Sequence, residues 1–132
     1  MKIRLAAFAT VVVLLSSVAL LAHHAFQAEY DATKPVKITG VVKKVEWMNP
    51  HIWFYVDVKD DSGKVTTWGF SGGPPGMLQR RGITRDVLKP GDVIKVEGFR
   101  AKDGSNNASV GNVTFADGRK VFAGAAEDVV PQ

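Results

Sequence analysis

The chain has 132 residues, which is enough for one domain and too few for two. Its 17 basic and 13 acidic residues are interspersed, whereas a nucleic-acid-binding protein usually clusters its basic residues, so we expect no nucleic acid partner. The absence of cysteine excludes disulfides, thiolate metal sites and cysteine nucleophiles.

Residues 1–22 have the pattern of a secretory signal peptide. Two basic residues give a positively charged N-terminal region, an apolar run follows, and small residues precede the predicted cleavage site. Cleavage after Ala19 fits the small-residue rule best, whereas cleavage after Ala22 would leave His23 as the first residue. The alternative is an uncleaved membrane anchor, since the apolar run just reaches the roughly 18 residues of a marginal span. We expect an exported, periplasmic protein that meets the membrane only during export.

The mature chain is predicted to start with a polar lead-in, residues 23–34, and regular structure is predicted to begin at Pro35. From Val36 the apolar residues alternate with polar ones, and the phase of this alternation shifts at Gly40. A glycine at such a shift favours a β-bulge that bends the strand. The first strand is therefore predicted to be bent.

The second predicted strand, residues 51–59, alternates throughout its length. One of its faces is apolar, and the opposite face begins with His51, Trp53 and Tyr55. A polar turn separates it from a third predicted strand, residues 64–70.

The second half of the chain is predicted to contain a short helix and two or three strands. The helix is placed at residues 77–81, and the strands at residues 93–99, 110–116 and 119–122. The last two strands flank Asp117-Gly118, a strong two-residue hairpin signal.

This order of elements predicts an all-β fold, a small five- to six-stranded OB-like barrel over residues 35–124. The short helix lies between strands 3 and 4, and the bent first strand serves both halves of the sheet. Another small β-sandwich or roll is the alternative. Residues 125–132 are predicted to form a flexible tail.

Six short motifs are distributed over the mature part of the chain. They are residues 23–26 (His-His-Ala-Phe), 45–51 (Val-Glu-Trp-Met-Asn-Pro-His), 72–75 (Gly-Gly-Pro-Pro), 80–82 (Arg-Arg-Gly), 89–92 (Lys-Pro-Gly-Asp) and 100–105 (Arg-Ala-Lys-Asp-Gly-Ser). Together they resemble a family of small exported bacterial proteins known only as a domain of unknown function. The resemblance covers essentially the whole mature chain. It implies a periplasmic location and an OB-like barrel, and it brings no established activity or site.

The three histidines, His23, His24 and His51, are the first candidate site. Imidazole is a ligand that suits copper, zinc or nickel. If cleavage leaves His23 first, its amine and ring can chelate one cation, and His51 can complete the set. We predict a metal site on these residues, with copper preferred because of the terminal amine. The alternative is that the first two histidines are solvated and that His51 caps its loop.

The second candidate site is the outward row of His51, Trp53 and Tyr55. In an OB barrel the second and third strands and their flanking loops form the usual ligand face. Aromatic rings there can stack on a small periplasmic ligand such as a glycan or peptide, or on an envelope protein partner. The predicted ligand-binding residues are Trp47, Asn49, Trp53, Tyr55, Arg80 and Arg81. The alternative is that the lead-in or the tail buries the rings.

Groups suited to catalysis are sparse. Residues 69–73 match the spelling of a nucleophile elbow around Ser71, but all three histidines precede this serine and the domain is too small for the fold that the motif requires. Asp60 and Asp61 are adjacent in a turn, so they are expected to point to solvent rather than across a substrate. We therefore predict a binding protein and not an enzyme.

Overall fold

The computed structural model describes residues 26–122 and 124, and most of them belong to one β-sheet. The elements are β1 (Tyr30–Glu46), β2 (Trp53–Lys59), β3 (Val65–Ser71), α1 (Pro75–Arg80), β4 (Val93–Ala101), β5 (Asn107–Phe115) and β6 (Lys120–Phe122). Residues 26–29 are helical. No helix within the described ranges is long and apolar enough to cross a membrane. The predicted leader, residues 1–22, and the predicted tail, residues 125–132, lie outside the described residues.

The sheet closes on itself. The strands are ordered β3-β2-β1-β4-β5-β6 with antiparallel neighbours, and β3 pairs in addition with β5 in a parallel arrangement. That last pairing runs from Gly69 opposite Asn107 to Ser71 opposite Ser109. With α1 inserted between β3 and β4, this ring confirms the predicted all-β, OB-like barrel.

The bend of β1 allows one strand to serve both halves of the barrel. β1 pairs with β4 as far as Val41 and pairs with β2 from Val41 onward. Gly40 lies at this change of partner, where an added Cβ would overlap the carbonyl oxygen of Asp57 and lie 2.7 Å from Cγ1 of Val56. Only a glycine lets β2 cross β1 so closely, so the glycine noted in the sequence marks the bend.

The predicted bulge at Gly40 is wrong in position, because the pairing of β1 with β2 shifts between Val42 and Lys44 instead. The predicted start of regular structure at Pro35 is also too late. β1 begins at Tyr30, and its pairing with β4 shifts between Tyr30 and Pro35.

Local hydrogen bonds account for the missed start of β1. Between Tyr30 and Pro35, the Asp31 carboxylate accepts two hydrogen bonds from Thr33, one from its backbone N–H at 2.9 Å and one from its hydroxyl at 2.6 Å. Such a turn interrupts the alternation of side chains. The strand therefore looks like a polar lead-in in the sequence.

The core lies inside the barrel and is built from alternate residues of the long strands. Its buried members are Val36, Val42, Phe54, Val56, Phe70, Ile94, Val96, Ala108, Val110 and Val113. The rings of Phe54 and Phe70 stack across β2 and β3 with centroids 5.4 Å apart. Because Phe54 and Val56 point inward, Tyr55 between them and Trp53 before them must point outward.

Candidate functional site

Trp53 and Tyr55 form an aromatic pair on the outer surface of the barrel. Their ring centroids lie 6.4 Å apart and their planes are inclined by 20°. Both side chains are half-buried, so part of each ring remains accessible to solvent. The outward position of these two predicted site residues follows from the period of two along β2.

Gly69 on β3 forms the floor beneath the aromatic pair. It is the register partner of Tyr55 on one side and of Asn107 on the other. An added Cβ would lie 3.4 Å from Cε1 of Tyr55, 3.5 Å from Cζ3 of Trp53 and 2.5 Å from Oδ1 of Asn107. The missing side chain at Gly69 therefore allows two rings and one amide to converge on a single point of the surface.

Charged side chains on β1 hold the far end of the aromatic pair. The Tyr55 hydroxyl donates to Oε2 of Glu46 at 3.2 Å, and Lys44 forms an ion pair with the same carboxylate. The Lys44 ammonium lies 5.8 Å from the centroid of the Tyr55 ring, within the range of a cation–π contact. The hydrogen bond from Lys44 lowers the pKa of Glu46, and burial is the main cause that raises the pKa of Tyr55. At neutral pH, Glu46 is thus ionised and the phenol is neutral.

The helical residues 26–29 form a wall beside Trp53. Phe26 anchors them, since its ring meets Phe99 edge-on with centroids 6.1 Å apart and lies 5.5 Å from the Tyr30 ring. The Lys102 backbone N–H donates to the Glu29 carbonyl at 2.9 Å, and the Lys102 ammonium donates to the Gln27 carbonyl. Residues 26–29 therefore pack next to Trp53, against the start of the β4–β5 loop.

A recess of about 330 Å³ lies between Trp53, residues 28–30 and the β4–β5 loop. It is lined by Ala28, Glu29, Tyr30, Trp53, Ala101, Lys102, Asp103 and Asn107. A volume of this size falls at the lower end of the roughly 300–1,000 Å³ typical of small-ligand sites. We call it the Trp53 recess.

Two polar groups of the Trp53 recess, the Asp103 carboxylate and the Asn107 amide, differ in how they are held. The Asp103 carboxylate accepts a hydrogen bond from the Ser105 N–H at 2.9 Å, and hydrogen bonds from Ser105 lower the pKa of Asp103. The carboxylate is therefore ionised at neutral pH. The half-buried Asn107 amide has no side-chain hydrogen-bond partner among the described residues, which leaves its donors and acceptor available to a ligand.

Most lining residues of the recess were missed in the sequence. Glu29, Lys102, Asp103 and Asn107 come from three separate segments, the helical residues 26–29, the β4–β5 loop and the first position of β5. Polar residues at the ends of elements and in loops show no hydrophobic periodicity that would predict their positions. The signal that was available is the pair Phe26 and Tyr30, two large aromatic residues in a lead-in that is otherwise mostly polar. Their place in the sequence suggests an anchor for the segment that forms the wall.

His51 lies in the exposed loop that leads into β2. Its Nδ1 is 2.9 Å from the carbonyl oxygen of Gly72. Because a carbonyl oxygen only accepts, Nδ1 carries the proton and Nε2 of the neutral ring keeps its lone pair. Asn49, also exposed, precedes a cis peptide bond to Pro50 in the same loop.

The other two predicted metal ligands, His23 and His24, lie outside the described residues. Within residues 26–122 and 124, no three histidine, aspartate or glutamate side chains are grouped so that they could hold a metal ion.

The remaining predicted site residues lie apart from the Trp53 recess. Trp47 lines an apolar cleft that also contains Ile52, Ile83, Leu88 and Phe115, where it covers the end of the core. Arg80 and Arg81 are exposed at the end of α1, where Arg81 donates to the Gly124 carbonyl at 3.4 Å. The structure thus brings Trp53 and Tyr55 together and places Trp47 and the two arginines elsewhere.

A comparison with solved structures gives the fold independently. The barrel is similar to the mitochondrial single-stranded DNA binding protein Rim1 of S. cerevisiae, with a TM-score of 0.50 and 8% sequence identity. The match covers 63% of this chain and 93% of Rim1. At this level of identity the similarity establishes the OB-like fold. A search of curated proteins finds no significant match.

The same comparison corrects the exclusion of nucleic acid that was drawn from the charge pattern. Rim1 shares the fold and is a single-stranded DNA binding protein. Proteins of this fold can hold single strands by stacking bases on aromatic side chains as well as by charge. Interspersed charges are therefore not sufficient to exclude a nucleic acid partner.

A comparison with protein families gives one match that spans most of the chain. The model of a family of unknown function, DUF6152, matches residues 11–110. This range contains β1 to β4 and the residues that line the Trp53 recess.

Proposed function

The chain belongs to the DUF6152 family of unknown function, and we propose that it is an exported, non-catalytic binding protein that holds its ligand on the aromatic pair of β2. The observation that carries this proposal is the position of Trp53. Its ring is stacked against Tyr55, half-exposed, and forms one side of the Trp53 recess. A ligand that covers both rings removes apolar surface from water while its polar groups meet the recess.

The surroundings of the aromatic pair suit binding because they are already arranged. Tyr55 is held by Glu46 and Lys44, and the wall beside Trp53 is held by Phe26 and Lys102. A site whose side chains are fixed before the ligand arrives loses less conformational entropy on binding. The sparse catalytic groups noted in the sequence support a binding role over an enzymatic one.

The first test is the variant Trp53→Ala, measured by calorimetric titration against neutral oligosaccharides, short peptides and single-stranded DNA. We expect one of these classes to bind the unmodified protein. Loss of an aromatic stacking partner costs about 1–3 kcal/mol, so the variant should bind that ligand roughly 5- to 150-fold more weakly.

The matched control for Trp53→Ala is Trp47→Phe. Trp47 is also a half-buried indole near β2, but it lines the other, apolar cleft. Its replacement should leave the affinity unchanged. Equal weakening by both substitutions, or binding that is indifferent to Trp53, would count against the proposed site.

A second candidate function is copper binding through His23, His24 and His51. It is favoured by the hydrogen bond of His51, because metal-ligating histidines generally donate their other ring N–H to a carbonyl or carboxylate group. With Nδ1 committed to Gly72, Nε2 is the atom that would bind the ion. Cleavage after Ala22 would add the amine of His23.

The test of the copper proposal is electron spin resonance of the processed protein with one equivalent of Cu(II). We expect nitrogen hyperfine splitting that loses one nitrogen in His51→Ala and is unchanged in Asn49→Ala, a variant of the same loop. N-terminal sequencing of the same sample shows whether His23 is the first residue. The spectrum of the free aquo ion would refute the proposal.

A further inference from the structure

We infer that the ligand of the Trp53 recess is a saccharide, bound through one neutral sugar ring. This inference rests on the proposed function and narrows it to one chemical class. The size of the recess and the hydrogen-bonding groups around it suit a sugar ring, and its charges and strand pairing disfavour other classes of ligand.

The size and shape of the recess suit a single ring. Its volume is about 330 Å³, and one wall is the Trp53 indole. A sugar ring carries C–H groups on its faces and hydroxyls around its edge. The face of an indole is negative and therefore attracts the weakly positive C–H groups. A ring stacked on Trp53 would direct its hydroxyls toward the polar walls.

The polar walls offer both acceptors and donors. Glu29 and Asp103 provide carboxylates, and Asn107 provides one acceptor and two donors. Each sugar hydroxyl both donates and accepts hydrogen bonds, so it needs a mixed set of this kind. In the described part of the chain, neither the Glu29 carboxylate nor the Asn107 amide has a hydrogen bond or ion pair of its side chain, and both border the same recess. They are the groups that we assign to the hydroxyls.

The charges around the recess disfavour a polyanion. Glu29 and Asp103 are two carboxylates on its wall, and the ammonium of Lys102 is occupied by the Gln27 carbonyl. A phosphodiester backbone would approach two negative groups, while the nearby guanidinium of Arg100 is engaged as well, by the carbonyls of Gly104 and Ser105. The recess therefore favours a neutral ligand over single-stranded DNA.

The pairing of β2 disfavours an extended peptide. Peptides that bind to sheets usually do so by adding a strand at a free edge. β2 is hydrogen-bonded to β1 on one side and to β3 on the other, so its backbone groups are already used. Recognition at Trp53 must rely on side chains, as it does for a sugar ring.

The test uses the full-length processed protein and three probe sets: neutral disaccharides of glucose, galactose and N-acetylglucosamine, a 12-nucleotide single-stranded DNA, and a mixed set of pentapeptides. Binding is followed by tryptophan fluorescence and calorimetry. We expect saturable binding of at least one disaccharide, with an affinity that changes little between low and high salt. Binding of the DNA would weaken steeply with salt.

Asn107→Ala is the variant that tests the assigned hydrogen bonds. We expect it to weaken disaccharide binding by about 2- to 12-fold, the value of one neutral hydrogen bond. Asn106→Ala is the matched control, because the neighbouring Asn106 amide accepts from Arg100 at 3.4 Å and does not line the recess. It should bind the disaccharide like the unmodified protein.

A second variant covers the case in which Asn107→Ala fails to fold. Gly69→Ala would place a methyl group 2.5 Å from Oδ1 of Asn107, a side-chain atom that can rotate away. We expect the barrel to stay folded and the affinity to fall at least as far as in Asn107→Ala. Both variants are checked by thermal unfolding before titration.

The outcomes separate the two proposals. If only DNA or only a peptide binds, and does so in a Trp53-dependent way, the proposed function stands and the saccharide inference fails. If no disaccharide binds, the saccharide inference fails. If no probe binds in a way that depends on Trp53, both proposals fail. Disaccharide binding that is unaffected by Asn107→Ala and Gly69→Ala would show that the sugar lies elsewhere.

Discussion

Gly98→Ala is expected to unfold much of the protein at room temperature, with a loss of at least about 4 kcal/mol in the free energy of unfolding. Gly98 is buried in β4, where the pairing with β5 shifts between Glu97 and Gly98. An added Cβ would overlap the carbonyl oxygen of Ser109 and lie 2.9 Å from its carbonyl carbon. These are backbone atoms of the paired strand, so no side-chain rotation can relieve the overlap. Urea unfolding followed by tryptophan fluorescence measures the loss.

The matched control is Gly76→Ala, the same substitution in α1. There an added Cβ meets only Nη1 of Arg80, at 3.6 Å, which is an ordinary contact with a flexible side chain. Alanine is the better helix former, so this variant should be as stable as the unmodified protein or more stable by about 0.5–1 kcal/mol. If Gly98→Ala and Gly76→Ala unfolded at the same urea concentration, β4 and β5 would have to be farther apart than described.

The overall architecture could be predicted because its causes are local in the sequence. The alternation along β2 separates Phe54 from Trp53 and Tyr55, and each side chain lies on the expected face. Gly40 indicates the bend through which β1 joins both halves of the barrel. The Asp117-Gly118 signal correctly predicts the turn between β5 and β6, with Gly118 at a φ of 85°, but the turn comprises residues 116–118 rather than the predicted two residues, since the Phe115 N–H donates to the Arg119 carbonyl. In each case a few neighbouring residues determine the geometry.

The ends of the strands could not be predicted because distant partners determine them. Tyr30 belongs to β1 through its pairing with Ala101, and the turn at Asp31 hides that continuity. β5 begins at Asn107, earlier than the predicted residue 110, because Gly69 on β3 pairs with Asn107. A parallel pairing between strands far apart in the chain leaves no mark on the local pattern of either strand.

The candidate site could be predicted only in part, because one half of it depends on alternation within a strand and the other half depends on contacts between distant residues. Trp53 and Tyr55 follow from the alternation on one strand. The opposite wall depends on how residues 26–29 dock against the β4–β5 loop, through Phe26 on Phe99 and Lys102 on Gln27. Trp47 lies close to Trp53 in the chain but lines a different, apolar cleft, together with Ile52 and Leu88. Proximity in the sequence is therefore a poor guide to which indole meets the ligand.

Phe54→Ala is expected to have the second large effect, a loss of about 3–5 kcal/mol in the free energy of unfolding. The Phe54 side chain is 0% exposed and stacks on Phe70 inside the barrel, so its removal leaves a cavity that the closed sheet cannot fill. Trp53→Ala removes a larger ring from the outer face, where solvent can take its place, and should cost less stability.

Phe54→Ala and Trp53→Ala together test whether the inner face of β2 provides stability while its outer face provides binding. Phe54→Leu is the control for Phe54→Ala, because it keeps most of the buried volume and should lose less stability. At a temperature where the Phe54→Ala variant is still folded, this variant should bind the ligand with nearly unchanged affinity. The Trp53→Ala variant, in contrast, should be stable and should bind the ligand weakly. Urea unfolding and calorimetric titration of the same samples give both quantities. If the two variants lost stability equally, Trp53 would belong to the core, and the aromatic pair would no longer be available as a ligand surface.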